Sequence, residues 1–224
     1  MASYSINQKA LIAELAVSEP ILKREADAIL RQQFFEPAVE KLQEEFLQHP
    51  VTQEIKGGIG ASNISDTLEA PFGDPPNAKD GREVKNYSPP NLTSFIGFEA
   101  GTDPIVEIER RLNPNHADGP KMVYKGMDRD RLAFRYEIRA PDQDEIENHT
   151  PIPWLPGISW TKRIEQGLPG IGFFLNAIGK RGSRSGGGIQ IDNQLRAGRF
   201  KPVSYLSGLF NAFLRRASSG REPL

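Results

Sequence analysis

The chain has 224 residues and no cysteine, with 38% hydrophobic residues, 18 prolines, 21 glycines and a formal net charge of −1. That length fits one large or two small domains, the lack of cysteine excludes disulfides, thiolate metal sites and a cysteine nucleophile, and an apolar share below the globular norm of roughly 45–50% predicts many turns and burial completed against neighbours. Charge is uneven: residues 180–224 hold nine Lys/Arg against two acids, a net of +7, so the other 179 residues carry −8, and such a positive end is suited to nucleic acid, an acidic neighbour or another copy of the chain.

The N-terminal stretch MASYSINQKALIAEL has no apolar run of signal-peptide length, and no segment approaches the ~18 apolar residues of a membrane span. A soluble protein, cytoplasmic when made, is expected. Residues 8–48 read as helix in two pieces. Ile12, Leu15, Ala16 and Glu19 lead to Pro20, with Ser18 as a cap before it. Leu22, Ala26, Ile29, Leu30, Phe34, Val39, Leu42 and Phe46 then recur every three to five residues, which predicts one apolar stripe on a helical face. Pro37 should kink the helix or begin another. Residues 1–56 hold nine acids and six bases, and their charged face reads either as solvated or as a docking face for a neighbouring subunit.

Gly57-Gly58-Ile59-Gly60 should end the helix, and residues 69–91 read as a long extended loop. Asp103 as cap, Pro104 at the first helical position and Ile105, Ile108 and Leu112 on one face predict a short helix, stopped by Asn113-Pro114. The clearest strand is 131–139, where Leu132, Phe134, Tyr136 and Ile138 alternate with Ala133, Arg135, Glu137 and Arg139. Met122-Val123-Tyr124 is its expected partner across a Gly126-to-Asp130 turn. Further strands are expected at Ile158–Trp160, Gly172–Leu175 and Gly188–Ile191, the last two forming a hairpin around the basic loop at 179–188. Ser204 should cap a final helix that has Leu206, Leu209, Phe210, Phe213 and Leu214 on one side and Arg215-Arg216 at its negative end.

Tests for chemistry are negative. In the 179–188 loop Lys180 precedes the glycines and a strand follows, so it is not a phosphate-binding P-loop. His49, His116 and His149 have no zinc-ligand spacing and read as surface or loop histidines. Asp142, Asp144, Glu145 and Glu147 lack the pattern of a calcium loop and read as a solvated strand exit or a partner for a basic patch. No G-x-S-x-G elbow occurs. These signs point away from an enzyme, and no cofactor or metal is expected. Lys180, Arg181 and Arg184 are the candidate contacts for DNA in a lumen or for a neighbouring subunit, by sequence-blind electrostatics.

Three segments resemble a known class. Asn91-Leu92-Thr93-Ser94-Phe95-Ile96-Gly97-Phe98-Glu99-Ala100-Gly101-Thr102-Asp103-Pro104-Ile105 resembles the N-L-x-S-F-x-G-F-x-x-G-x-x-P stretch of neck and tail-completion proteins of tailed bacteriophages, particularly those with contractile tails. Residues 160–170, from Trp160 through Ile164-Glu165-Gln166-Gly167 to Gly170, resemble that class's aromatic-x-x-x-I/V-E-x-G turn. Arg199-Phe200-Lys201-Pro202-Val203-Ser204-Tyr205-Leu206 is similar to the F-x-P-x-x-Y/F-L approach to its last helix. The resemblance covers roughly residues 5–216. It implies a virion structural protein at the head–tail junction, a neck or tail-terminator subunit that assembles as a hexameric ring between connector and tail and lets DNA pass. A baseplate or tail-sheath adaptor and a sequence-blind nucleic-acid-binding module are the alternatives. The fold class expected is α+β, with an N-terminal helical segment (1–56), a loop-rich connection holding a short helix (57–119), and a small twisted antiparallel sheet or sandwich with a C-terminal helix (120–224), together one domain.

Overall fold

A computed structural model describes residues 8–67, 91–98, 101–128, 133–153, 155–167, 173–176, 189–192 and 201–219. The fold is α+β, with a long N-terminal helix, small antiparallel sheets and a C-terminal helix. Residues 69–90 of the predicted 69–91 loop and the basic loop at 179–188 lie outside the described residues.

Residues 8–48 form one continuous helical rod about 60 Å long. Helix α1 (Gln8–Leu30) runs through Pro20 without ending, so the expected break and the Ser18 cap are not found. Proline removes one backbone bond, but the Ala-, Leu- and Glu-rich chain around it favours helix strongly. The discontinuity falls instead at Arg31–Phe35, a π-helical turn, and helix α2 (Glu36–Gln48) follows with Pro37 in its first turn. A π turn accommodates one extra residue, which rotates the faces before and after it by about 100° relative to one another. The single apolar stripe expected across this region is not found, since even with this turn Leu22 and Ile29 lie about 100–120° around the helix from Leu42. Ala38, Val39, Leu42 and Phe46 of α2 are buried, and Phe35 joins them in place of the expected Phe34. Leu22 and Ile29 of α1 stay on the surface, 40% and 50% exposed.

His49 adopts an extended conformation and starts helix α3 (Pro50–Lys56), its Nδ1 accepting a hydrogen bond from Val51 N at 3.2 Å. Gly57 ends α3 and Gly58 takes a left-handed φ of 67°, so this glycine run is the helix terminator expected. Two short helices follow. Helix α4 (Leu92–Ile96) was not anticipated; α5 (Val106–Arg111) was, and it buries Ile105, Ile108 and Leu112 as its spacing predicts. Asp103 accepts from Ile105 N at 3.1 Å just ahead of it.

Strands β1 (Lys121–Asp128) and β2 (Ala133–Arg139) pair antiparallel with Met122 opposite Ile138 and Tyr124 opposite Tyr136. Gly126, placed in the turn by sequence, lies inside β1 at a bulge where φ is 110°, a conformation that glycine adopts freely. The acidic run at 142–147 is helical: Asp142 caps α6 (Gln143–Asn148) by accepting from Glu145 N. Strands β3 (Pro151–Ile152) and β4 (Leu155–Ser159) pair next, and the chain turns at Ser159 into α7 (Trp160–Glu165), so Trp160 is helical rather than extended. Strands β5 (Phe173–Asn176) and β6 (Ile189–Asp192) form the hairpin expected around the basic loop. Helix α8 (Leu206–Ser219) closes the chain against α2, with Phe213 edge-on to Phe35 at 6.3 Å between ring centres. The core thus gathers α2–α8, while the three sheets remain separate two-stranded hairpins among the described residues.

Candidate functional site

Lys180, Arg181 and Arg184 lie outside the described residues. Their hairpin stem is described: Phe173 pairs with Asp192 and Asn176 with Ile189, which makes 177–188 the connection between the two strands. Arg216, another part of the basic end, pairs with Glu45 of α2. That portion of the opposite charge on the two ends is satisfied inside the subunit.

Several buried polar groups have structural partners, while the Thr93 hydroxyl is enclosed without one. Glu54 is fully buried and accepts from Leu92 N at 2.8 Å and Ser65 N at 2.9 Å, fixing the start of α4. Glu165 Oε1 accepts from Ser207 N at 2.8 Å and Tyr205 N at 3.2 Å, and so caps α8 in place of the expected Ser204. Thr150, Ser159 and Thr161 close a buried ring of hydroxyls at 2.7–3.1 Å. His49 is half-buried rather than on the surface. Its ring lies 4.8 Å from that of Tyr205, and burial holds its pKa below the ordinary histidine value. Among the described residues no group of three or more His, Asp or Glu side chains is placed to hold a metal ion.

The three segments singled out by sequence converge. Phe98 from the first stands edge-on to Trp160 of the second at 5.6 Å, and Trp160 lies 6.3 Å from Tyr205 of the third. Tyr205 in turn stacks on Phe46 of α2 at 6.0 Å. It is fully buried, and its hydroxyl meets Thr52 Oγ1 at 2.7 Å. Burial pushes the Tyr205 phenol well above its usual range. Glu165 of the second segment caps the helix that the third begins, and Val203 N donates to Ile164 O at 3.3 Å. These residues, far apart in the chain, form the packed centre of the molecule.

Helix α1 carries a cluster of exposed apolar side chains among the described residues. Its inner side rests on the β1–β2 hairpin through polar groups. Tyr124 Oη donates to Glu19 Oε1 at 3.1 Å, Lys23 Nζ stands 4.9 Å from the Tyr124 ring centre, and Lys23 bonds Asp27 at 2.6 Å. The Lys23 ammonium holds the Asp27 carboxyl below the usual range, with the Tyr136 phenol contributing next. The Tyr136 hydroxyl is enclosed near Asp27 without a bond of ordinary hydrogen-bond geometry, and burial followed by that carboxylate pushes its pKa up. The opposite side of α1 is aliphatic and faces water: Ile21 is 68% exposed, and Leu22, Ala28 and Ile29 share that side. Sequence reasoning placed Leu22 and Ile29 in the core and missed this face. The signal that could have found it is the clustering of Ile21, Leu22, Ala28 and Ile29 within about 60° of Glu25 on a helical projection taken for α1 alone.

Comparison with protein-family models, with curated proteins and with solved structures found no match to this chain.

Proposed function

We propose that this chain is a virion structural protein of a tailed phage, a neck or tail-terminator subunit that assembles as a ring between connector and tail. The observation that carries the reading is the meeting of Phe98, Trp160 and Tyr205 in one packed centre. The three segments that resemble neck and tail-completion proteins are thereby the segments that hold this fold together. A shared set of core positions is what a shared fold requires, since core residues answer to packing rather than to one surface. The role in the virion then follows by analogy with the class that the segments resemble. A ring uses two different faces of each subunit, and a subunit that lines a DNA passage needs only weak, sequence-blind basic contacts of the kind Lys180, Arg181 and Arg184 would supply.

The test is assembly. Purified chain is mixed with isolated tails or connectors lacking it and imaged by electron microscopy. A closed ring at the head-proximal end of the tail supports the proposal; a chain that binds neither tails nor connectors overturns it. The second reading, a nucleic-acid-binding module, is favoured by the +7 charge of residues 180–224. It requires tight DNA binding by the free chain, lost when Lys180, Arg181 and Arg184 are changed to Ala.

A further inference from the structure

The β1–β2 hairpin has one covered face and one open face. Side chains alternate along a strand, and residues directly opposite across an antiparallel ladder share a face. Met122 and Ile138 pack against the core, Tyr124 reaches Glu19 and Tyr136 lies beside Asp27, so the core and α1 occupy that side. The other side carries Lys121, Val123, Lys125, Arg135, Glu137 and Arg139. Lys125 belongs to it although it is the bulged residue, because its ammonium meets the Glu137 carboxylate. Four cations thus stand at the corners of the ribbon. Lys121 is opposite Arg139 at one end, and Lys125 and Arg135 lie four residues, or roughly 13 Å, further along. All four are exposed.

The charges on this face do not balance. Arg139 holds Glu137 with two bonds, at 2.9 and 3.1 Å, and Lys125 shares the same carboxylate. Those two cations keep the Glu137 carboxyl down at about 2. Asp128 pairs with Arg135, and Lys121 donates to the Ala117 carbonyl. Four cations against two carboxylates leave a surplus of two positive charges on a chain whose net charge is −1. Lys121 and Arg139 also stand directly opposite each other, a placement that like charges disfavour across a ladder. An anion bridging the two side chains would relieve that repulsion. The rest of the face says which kind of anion. A protein partner calls for an apolar or aromatic centre with few charges, whereas the centre here is one valine opposite one glutamate. Tyr124, Phe134 and Tyr136 lie together on the covered side, so no aromatic ring of either strand is offered to stack on a base. Exposed cations without stacking rings suit the sugar-phosphate backbone of nucleic acid.

We propose that the open face of the β1–β2 hairpin is a sequence-blind contact for the phosphate backbone of nucleic acid, with Lys121 and Arg139 as its principal cations and Lys125 and Arg135 extending it. Glu137 tunes its strength: by neutralising part of the surface it keeps the contact weak, as a nucleic acid that slides past requires. This surface is separate in the chain from Lys180, Arg181 and Arg184. It does not rest on the head–tail reading; where that reading holds, it gives each subunit a second place to meet DNA.

The test starts from the full chain with Lys180, Arg181 and Arg184 changed to Ala, which removes the other candidate contact. A labelled DNA duplex of mixed sequence is titrated by fluorescence anisotropy at several salt concentrations. Binding is expected at roughly 50 mM salt, and Lys121→Gln with Arg139→Gln should weaken it by more than about tenfold and lower the slope of log K against log salt by about two. Glu137→Gln should act in the opposite direction and tighten binding by about threefold to tenfold, since it releases Lys125 and Arg139 from their shared carboxylate. None of the three side chains is buried, so circular dichroism should be unchanged. A poly-glutamate peptide, whose charges are spaced about twice as widely as those of a duplex, should compete poorly. Absence of DNA binding by the starting chain at that salt concentration overturns the proposal, and so does a folded Lys121→Gln, Arg139→Gln chain that binds unchanged. Weaker binding by Glu137→Gln, or competition by poly-glutamate equal to that of DNA, overturns it as well, the latter assigning the face to an acidic protein. Ring assembly without a DNA contact at the hairpin would remove this inference and leave the proposed function standing; the contact without assembly would do the reverse.

Discussion

His49 shows how much one side chain does in this molecule. Its Nδ1 accepts the first free backbone N–H of α3, and its ring lies against Tyr205, whose hydroxyl meets Thr52 of the same helix. Only the neutral imidazole tautomer with an unprotonated Nδ1 can accept from Val51 N. Burial lowers the His49 pKa from 6.5, with a backbone contact to Ser204 acting in the other direction. The folded chain therefore binds fewer protons at this site than the unfolded chain, and the stability from neutral His49 is present above pH 6.5 and lost as pH falls through the depressed folded value. Urea unfolding at several pH values is expected to show a midpoint that declines on acidification below about 6.5. In His49→Asn, whose side chain can still cap α3, that part of the slope should vanish. Equal slopes in the two proteins would assign the pH dependence elsewhere. Glu54 and Glu165 act on the same scale. A reader of sequence sees two carboxylates near glycines and aromatics; folding turns both into acceptors for backbone amides at helix starts.

At the scale of elements, the π turn is decisive. The apolar residues of 22–46 recur every three to five positions, but at about 100° per residue a straight α-helix would carry Leu22 and Ile29 about 140–160° away from Leu42, so the spacing does not make one stripe. One extra residue in the turn at Arg31–Phe35 gives α1 its own orientation, with Glu19 and Lys23 on Tyr124 and Asp27 beside Tyr136. Deletion of Gln33 should restore an uninterrupted α-helix and turn α1 by about 100° relative to α2. Helix content should be kept or raised. Hydrogen exchange should then show lost protection in β1 and β2 and unchanged protection where α2 meets α8, since Phe35, Phe46 and Phe213 remain in place. Unchanged protection in β1 and β2 would mean that α1 contributes nothing to the hairpin. Short helices were read less well than long ones. Helix α5, six residues long, was legible because Asp103, Pro104 and three apolar residues at helical spacing all agree, whereas α4, α6 and α7, equally short, lack that agreement of cap, proline and apolar spacing.

For the whole molecule, the uneven charge has a partly internal use. Arg216 is largely buried, pairs with Glu45 and joins the last helix to α2. Its Nη1 is enclosed without a partner, and the pair ties α8 to α2. Arg216→Ala leaves the Glu45 carboxylate half-buried and unpaired and is expected to destabilise the fold by about 1–2 kcal/mol. Glu45→Ala should cost a similar amount, and the double variant less than the sum of the two. Additive losses in urea unfolding would show that the two side chains do not act on each other. Lys201 of the C-terminal fifth pairs with Asp66, and Lys180, Arg181 and Arg184 are the residues proposed to meet DNA or a neighbouring subunit.

The sequence by itself determined the α+β class, the alternating β1–β2 hairpin, the β5–β6 hairpin around the basic loop, and the apolar faces of α5 and α8. Each is local: a period of two or of about three and a half, or a glycine or proline in a position with one favoured conformation, is written in adjacent residues. Tertiary structure alone decided which carboxylates cap helices, that Arg216 answers Glu45, that Phe98, Trp160 and Tyr205 meet, and that the aliphatic side of α1 faces outward. Those outcomes join residues tens to more than a hundred positions apart or depend on a single extra residue in a helical turn. Their cause is the geometry of packing in three dimensions, which no window of neighbouring residues contains.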